Sequence, residues 1–154
     1  MFSIYFTRQW YMIVQKIPPD EKDLRNYLGG HFSFLKTLMR GGTGSQRMVY
    51  KSGLPLFDTI AAQYTDLNYC NFQQYQEGLA IRMCRRAEGY IAAMRYQEIT
   101  RIAFFTTPKE DAYIEINVQA QTQAIVLIVP SISIASLRLF ATKNFPATLL
   151  QITH

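Results

Sequence analysis

The chain has few of the residues that carry most enzyme chemistry and most metal sites. Its 154 residues include only two histidines and two cysteines. His31 and His154 lie far apart in the sequence, and neither is paired with a cysteine at the short spacings of structural zinc sites. Catalysis by a nucleophile or a general base needs a nucleophile, a base and an orienting group together, and no motif supplies such a set. We therefore expect no catalytic residue, no metal and no cofactor.

The cysteines and the apolar runs bear on the cellular compartment. Cys70 and Cys84 form no Cys-x-x-Cys pair, which indicates a reduced, intracellular chain. Cys84 falls within the apolar and polar alternation of a predicted strand, so we expect it to be a small core residue. No window reaches the roughly 18 uninterrupted apolar residues of a membrane span. The N-terminal apolar segment also lacks the basic region that opens a signal peptide. We expect a cytoplasmic protein.

Charged residues are few as well, at 18%, whereas hydrophobic residues make up 49% and aromatic residues 14%. This balance is typical of a globular domain rather than a disordered chain. Sixteen lysines and arginines against eleven acids give a formal net charge of +5. Such an excess suits an anionic partner such as nucleic acid or a membrane surface, although it also serves solubility. The positions of the cations therefore matter more than their number.

The first part of the chain combines a strand pattern with a helix pattern. Apolar residues alternate with polar ones over residues 2–14, which predicts one or two half-buried strands. Over residues 24–39 apolar residues recur every three or four positions, which predicts an amphipathic helix. Gly29 and Gly30 interrupt this pattern, so one kinked helix and two short helices are both open. We treat residues 1–66 as an N-terminal segment, either separate or integral to the same domain.

The second part of the chain is rich in strand patterns. Residues 78–130 contain four or five short strands in succession, with no helix-length pattern between them. Strands joined by short polar turns form an antiparallel meander, and one of this length predicts a small barrel or sandwich. The apolar run at residues 124–129 predicts a strand covered on both faces. Residues 131–143 fit a C-terminal helix, while a strand through Ile132 and Ile134 competes with it.

One run carries a recognisable order of elements. The sequence GLAIRMCRRAEGYIAAMRYQEITRIAF, at residues 78–104, gives a strand, its return hairpin and then a Tyr-x-x-Ile-x-x-Ile step at Tyr96, Ile99 and Ile102. This order resembles the opening of small bacterial pleckstrin-homology-like (PH-like) domains. In that family further strands follow, and a C-terminal helix closes one end of the barrel. The resemblance covers about residues 67–143 and implies the same architecture here.

These patterns together predict an α+β fold. We expect an antiparallel β-meander that forms a small PH-like barrel or sandwich with a C-terminal helix, preceded by an N-terminal strand and helix segment. The predicted division is into residues 1–66 and a β-rich PH-like domain at residues 67–154. A general β-sandwich and an irregular α+β sheet that includes the N-terminal strands are the alternatives.

Cations concentrate along the first hairpin of the strand-rich part. The candidate residues for binding an anion or another partner are Arg82, Arg85, Arg86, Arg95, Tyr96 and Arg101. A solvated, charged face is the simpler interpretation of such a group. The functional hypothesis is a non-catalytic interaction module that binds a protein or an anionic headgroup at a membrane surface.

Two further partners are consistent with the sequence. In a single-stranded nucleic-acid-binding protein, Tyr90, Tyr96 or Tyr113 would stack on bases while the arginines contact phosphates. The aromatic N-terminal segment, residues 1–17, would instead bring two copies of the chain together as a homo-oligomer. The sequence names no ligand for either arrangement.

Overall fold

Two α-helices and nine strands of one sheet have their bounds within the described part of the chain. The computed structural model describes residues 13–16, 21–31, 47–65, 67–85, 88–106, 112–119, 121–129, 139, 142–143 and 145–152. Within them the helices are α1 (Glu21–Leu28) and α2 (Pro55–Ala61). The strands are β1 (Ile13–Lys16), β2 (Met48–Ser52), β3 (Tyr69–Gln74), β4 (Gly78–Arg85), β5 (Glu88–Arg95), β6 (Ile99–Thr106), β7 (Ala112–Val118), β8 (Ile125–Val129) and β9 (Leu150–Ile152). The predicted α+β class is confirmed.

The sheet joins two antiparallel groups of strands. Its strand order is β1-β5-β4-β3-β2-β8-β7-β6-β9. All neighbours are antiparallel except β6 and β9, so the sheet is mixed. The predicted meander is found within β3–β5 and within β6–β8, but it breaks between β5 and β6, which are not neighbours. The link between the two groups is instead the pairing of β2 with β8.

The short connection from β5 to β6 requires the sheet to fold over on itself. These strands are second and eighth in the order, which would place them roughly 29 Å apart in a flat sheet. Only the 3-10 turn Tyr96–Glu98 connects them, and a link of that length reaches at most about 14 Å. The two groups of strands must therefore face each other, with one side of each turned inward.

The inward faces form one continuous core. Alternate residues of both strand groups contribute, and the central side chains include Met48, Phe72, Leu79, Ile81, Met83, Phe104, Ile114, Ile116 and Leu127. Phe57 of α2 packs into the same core. A second, smaller cluster lies on the outward side of β4 and β5, where Leu24 and Leu28 of α1 pack against Ala80 and Ile91. Strands β4 and β5 are consequently buried on both faces where α1 covers them, at Ala80, Ile91 and Ala93.

Helix α1 ends where the glycine pair predicted an interruption. Leu28 is its last residue, and Gly29 follows with a positive φ of 76°. The predicted continuation over residues 32–39 lies outside the described residues, as do residues 1–12 and most of the predicted C-terminal element at 131–143. The division after residue 66 stays a prediction.

Two expectations about the sheet are wrong. It is not a closed barrel over the described residues, because β1 and β9 end it without pairing to each other. Strand β8 is also not covered on both faces, since Val126 and Ile128 are only half-buried on its outward side. A continuous apolar run shows that a strand avoids charge, but it cannot show whether anything covers its outer face.

We predict that Gly53→Ala destabilises the protein by at least about 2 kcal/mol. Gly53 has a φ of 111°, and an added Cβ would contact the Ala124 carbonyl oxygen and lie 2.6 Å from the Ile125 Cα. Gly30→Ala is the matched control, because its nearest neighbour would be Gln76 Nε2 at 3.7 Å. Urea unfolding of both variants measures the difference, and equal midpoints would contradict the prediction.

Candidate functional site

The arginines predicted as one binding group do not gather on one face. In the β4–β5 hairpin Arg85 is level with Glu88 at one end, while Arg95 is level with Gly78 at the other. These ends are about 23 Å apart along the strands. Arg101 lies on β6, in the other strand group. The hairpin therefore separates the cations that the sequence places close together.

Two of these arginines are held by neighbours within the hairpin region. Arg85 is 8% exposed, and its guanidinium lies 4.0 Å from the centre of the Tyr64 ring. It also donates a hydrogen bond to the Leu67 carbonyl oxygen at 3.2 Å. The Arg82 Nε donates to Gln73 Oε1 at 2.6 Å. Both guanidinium groups are thus engaged by the protein itself.

The other members of the predicted group are also dispersed. Arg101 forms an ion pair with Glu115 at 3.1 Å on the outward face of β6 and β7. Tyr96 is half-buried, with its ring 6.3 Å from that of Phe145. Arg86 lies outside the described residues. The role of these residues in binding stays a prediction, but the structure does not bring them to a common surface.

Arg95 belongs to a buried polar cluster that joins α1 to the turn between β5 and β6. Glu98 is 3% exposed, and the Tyr27 hydroxyl donates to its carboxylate, 2.7 Å from each oxygen. Arg95 donates to the same carboxylate from Nε at 3.1 Å and from its backbone nitrogen at 2.8 Å. Burial, and then the hydrogen bond to Glu98, raise the pKa of Tyr27. The cluster fixes the crossing point of the chain.

The outward face of the sheet carries a row of apolar and aromatic side chains that crosses from one strand group into the other. The register brings one residue from each of β3, β2, β8, β7 and β6 side by side. In this order the residues, which we call the aromatic row, are Tyr69, Val49, Ile128, Tyr113 and Phe105. Tyr69 is 41% exposed, and the other four are half-buried.

Two exposed cations lie against the rings of the aromatic row. The Arg47 guanidinium is 4.8 Å from the centre of the Tyr69 ring, and the Lys51 Nζ is 5.0 Å from that of Tyr113. The Tyr113 and Phe105 rings stack nearly parallel, with centroids 5.3 Å apart and an angle of 7°. Each of the two tyrosines of the row therefore has a positive charge against its ring.

Negative charge is scarce in the strands that carry the aromatic row. Glu115 is the single acidic residue in the sequences of these five strands. Its carboxylate is paired with Arg101. Over the described residues of these strands, together with Arg47, the cations therefore outnumber the acid.

The sequence identified one residue of this face and misplaced two others. Tyr113 was among the tyrosines expected to stack on bases, and it lies in the aromatic row. Tyr90 is instead a core residue, 4% exposed and in contact with Phe57. Tyr96 is half-buried beside Phe145. The alternation in β7 was a sufficient signal for Tyr113, whereas the rest of the row depends on long-range strand pairing.

Cys84 is exposed, so its predicted place in the core is wrong. Cys84 is the neighbour of Met83 in β4, and because Met83 faces the core, Cys84 faces outward. Cys70 of β3 pairs with Met83 of β4, so extending this register by one residue places Cys84 level with Tyr69. Cys84 therefore lies beside the Tyr69 end of the aromatic row. Cys70 is the buried thiol, and burial raises its pKa to about 12.

The described part of the chain has neither a cluster of metal-ligating side chains nor a membrane-spanning helix. Across these residues no three histidine, cysteine, aspartate or glutamate side chains are grouped so that they could hold a metal ion. None of the helices in the same residues has the length and apolar character needed to cross a membrane.

No family model matches the chain, and no curated protein or solved structure is similar to it. The PH-like resemblance thus stays a prediction from the sequence pattern.

We predict that Tyr27→Phe lowers the free energy of unfolding by about 1–2 kcal/mol, because a buried carboxylate loses a hydrogen-bond donor. The pKa of Tyr27 is higher in the folded chain than in the unfolded chain. Its hydrogen bond therefore contributes fully to the free energy of unfolding below pH ~10, and this contribution is lost at higher pH because the hydroxyl ionises first in the unfolded chain. Urea unfolding from pH 7 to pH 11 measures both effects. Tyr69→Phe, at an exposed ring, is the control and should leave stability unchanged.

We also predict that iodoacetamide at pH 8 modifies Cys84 and leaves Cys70 intact in the folded protein. The reactive species is the thiolate, and both burial and a pKa of about 12 withhold it at Cys70. Mass spectrometry of the intact chain should show one modification, and two after denaturation in urea. Rapid modification of a folded Cys84→Ser variant would show that Cys70 is accessible.

Proposed function

We propose that the chain is a non-catalytic binding module that holds single-stranded nucleic acid on the aromatic row. The observation that carries this proposal is the register of Tyr69, Tyr113 and Phe105 on one outward face, with Arg47 and Lys51 against the tyrosine rings. Exposed aromatic faces combined with cations are the recurring design of single-strand binding surfaces.

Stacking supplies the main part of the affinity. A base stacked on an aromatic ring contributes about 1–3 kcal/mol, whatever the base. Three strand spacings separate Tyr69 on β3 from Tyr113 on β7, which is about 14 Å. Val49 and Ile128 fill the space between them with apolar surface. A strand lying across the sheet would therefore meet two stacking positions joined by an apolar floor.

Electrostatics supports the same partner. The cations at the two tyrosines would contact phosphates on either side of a stacked base, and release of counterions from those phosphates favours binding. Glu115, which would repel phosphate, is paired with Arg101. The face has no further acid within its five strands.

The arrangement favours single strands over duplexes. Ring faces on a sheet can stack only on bases that are themselves uncovered, and a duplex hides both faces of each base within its own stack. Duplex of the same sequence is therefore the natural competitor in a binding measurement.

The other candidate partners have less support. Binding of an anionic headgroup was inferred from the hairpin arginines, which lie at separate places and contact the protein. We keep the PH-like plan for residues 67–143 as a proposal about the fold. Its support is the order of the β4–β5 hairpin, the Tyr96 step and then three antiparallel strands.

We predict that a fluorescently labelled 15-nucleotide single strand binds at low salt, and that Tyr69→Ala or Tyr113→Ala weakens it about fivefold or more. Fluorescence anisotropy measures the affinity. Arg47→Gln and Lys51→Gln should each reduce the slope of log K against log salt by about one. Lys22→Gln, at an exposed residue of α1, which packs on β4 and β5 and not on a strand of the aromatic row, is the control and should bind as the parent chain does.

The position of the bound strand can be read from Cys84. Because this thiol lies beside Tyr69, a bound oligonucleotide should slow its alkylation. Absence of binding at low salt would overturn the proposal. Binding to vesicles rich in anionic lipid that is lost in the same tyrosine variants would assign the face to a membrane surface instead.

A further inference from the structure

The two ends of the aromatic row have different polar surroundings. At one end Asn71 follows Tyr69 on the outward face of β3 and is exposed. It is level with Arg82 on β4. Extending the β2–β3 register by one residue brings Arg47 level with it on the other side. Asn71 therefore lies between two arginines and next to the Tyr69 ring.

Arg82 does not compete for the space in front of Asn71. Its Nε donates to Gln73 Oε1 at 2.6 Å, and its Nη2 donates to the Tyr75 hydroxyl at 3.3 Å. Both contacts draw the guanidinium along the strand away from Tyr69. Asn71 presents an amide, which has two N–H donors and one carbonyl acceptor.

At the Tyr113 end no comparable group is found among the residues that the structure describes. The next outward residue on β7 is Glu115, whose carboxylate is held by Arg101. Asn117, one step further, also contacts Arg101, which donates to its Oδ1 at 3.3 Å. A base stacked on Tyr113 therefore meets an ion pair, whereas a base stacked on Tyr69 meets an exposed amide.

We infer that Asn71 makes the Tyr69 position selective for adenine, an inference that rests on the proposed binding of single-stranded nucleic acid. The amide N–H donates to adenine N7 while its carbonyl accepts from the N6 amino group, the usual bidentate pairing of asparagine with this base. On this N6/N7 edge guanine and hypoxanthine carry an oxygen in place of the amino group, which would oppose the amide carbonyl. Pyrimidines cover less of the surface formed by Tyr69 and Val49.

The test uses three 11-nucleotide strands: all thymidine, or thymidine with one central deoxyadenosine or one central deoxyinosine. Hypoxanthine has the two-ring shape of adenine, so the comparison separates recognition of the base edge from stacking. The strand with adenine should bind at least about fivefold more tightly than the strand with hypoxanthine. Asn71→Ala should abolish this difference and leave affinity for the all-thymidine strand within about twofold. Fluorescence anisotropy at fixed low salt measures all three.

The control is Asn117→Ala, which removes an amide from the same face beside Arg101 and should keep the preference for adenine. Equal binding of the adenine and hypoxanthine strands by the parent chain would overturn the inference, and so would a preference that survives Asn71→Ala. In both cases the strands still bind, so the proposed function stands. If none of the three strands binds, the proposed function fails and the inference fails with it.

Discussion

The three-residue crossing from β5 to β6 is the constraint on which the rest of the structure depends. Two strands that are far apart in the sheet order are joined by a turn too short to cross a flat sheet. The sheet must fold, and its two strand groups then share one core. Glu98 in this turn is held by Tyr27 from α1 and by Arg95 from β5, so the turn is fixed from both sides. Because every second side chain of each strand faces the core, the side chains between them face outward. The aromatic row consists of such outward-facing side chains.

The outward side of the sheet differs between β4–β5 and the strands of the aromatic row because the helices are used differently. Helix α1 packs on β4 and β5, where Ala80 and Ala93 leave room for Leu24 and Leu28. Helix α2 packs with its Phe57 into the shared core. The large side chains of the aromatic row instead keep part of their surface accessible. A single hydrophobic residue on a surface needs no explanation, but a row of them across five strands does. Because neither α1 nor α2 packs on this row, we interpret it as a binding surface.

Local features of this fold could be predicted from the sequence, and long-range ones could not. The alternation in β4 and β7 and the end of α1 at Gly29 depend on neighbours in the chain, and they are as predicted. The pairing of β2 with β8 and the separation of β5 from β6 depend on residues far apart, for which the sequence has no local signal. For Arg85 the local signals disagree. Arg85 is two residues after Met83 in β4, so the alternation of the strand places both side chains on the inward face, and both are buried. Only the charge of Arg85 favours the surface. Cys84 is the opposite case. Cysteine is usually a core residue, but its position in the alternation of β4 places Cys84 on the outward face.

The candidate site also depends on two irregularities in the strand ladders. A one-residue shift of register in any strand would turn its side chain from the row into the core. At β2 the register with β8 shifts between Tyr50 and Ser52, so Lys51 is the extra residue of a bulge. Its side chain, without a cross-strand neighbour to oppose it, reaches the Tyr113 ring two strands away. A second shift, between Ile99 and Arg101 in β6, sets the position from which Arg101 pairs with Glu115. Bulges commonly redirect side chains beside functional sites. Here one of them brings a cation to the Tyr113 ring and the other lets Arg101 neutralise Glu115. The same departures from regular pairing that bend the sheet therefore also affect the charge of its outer face.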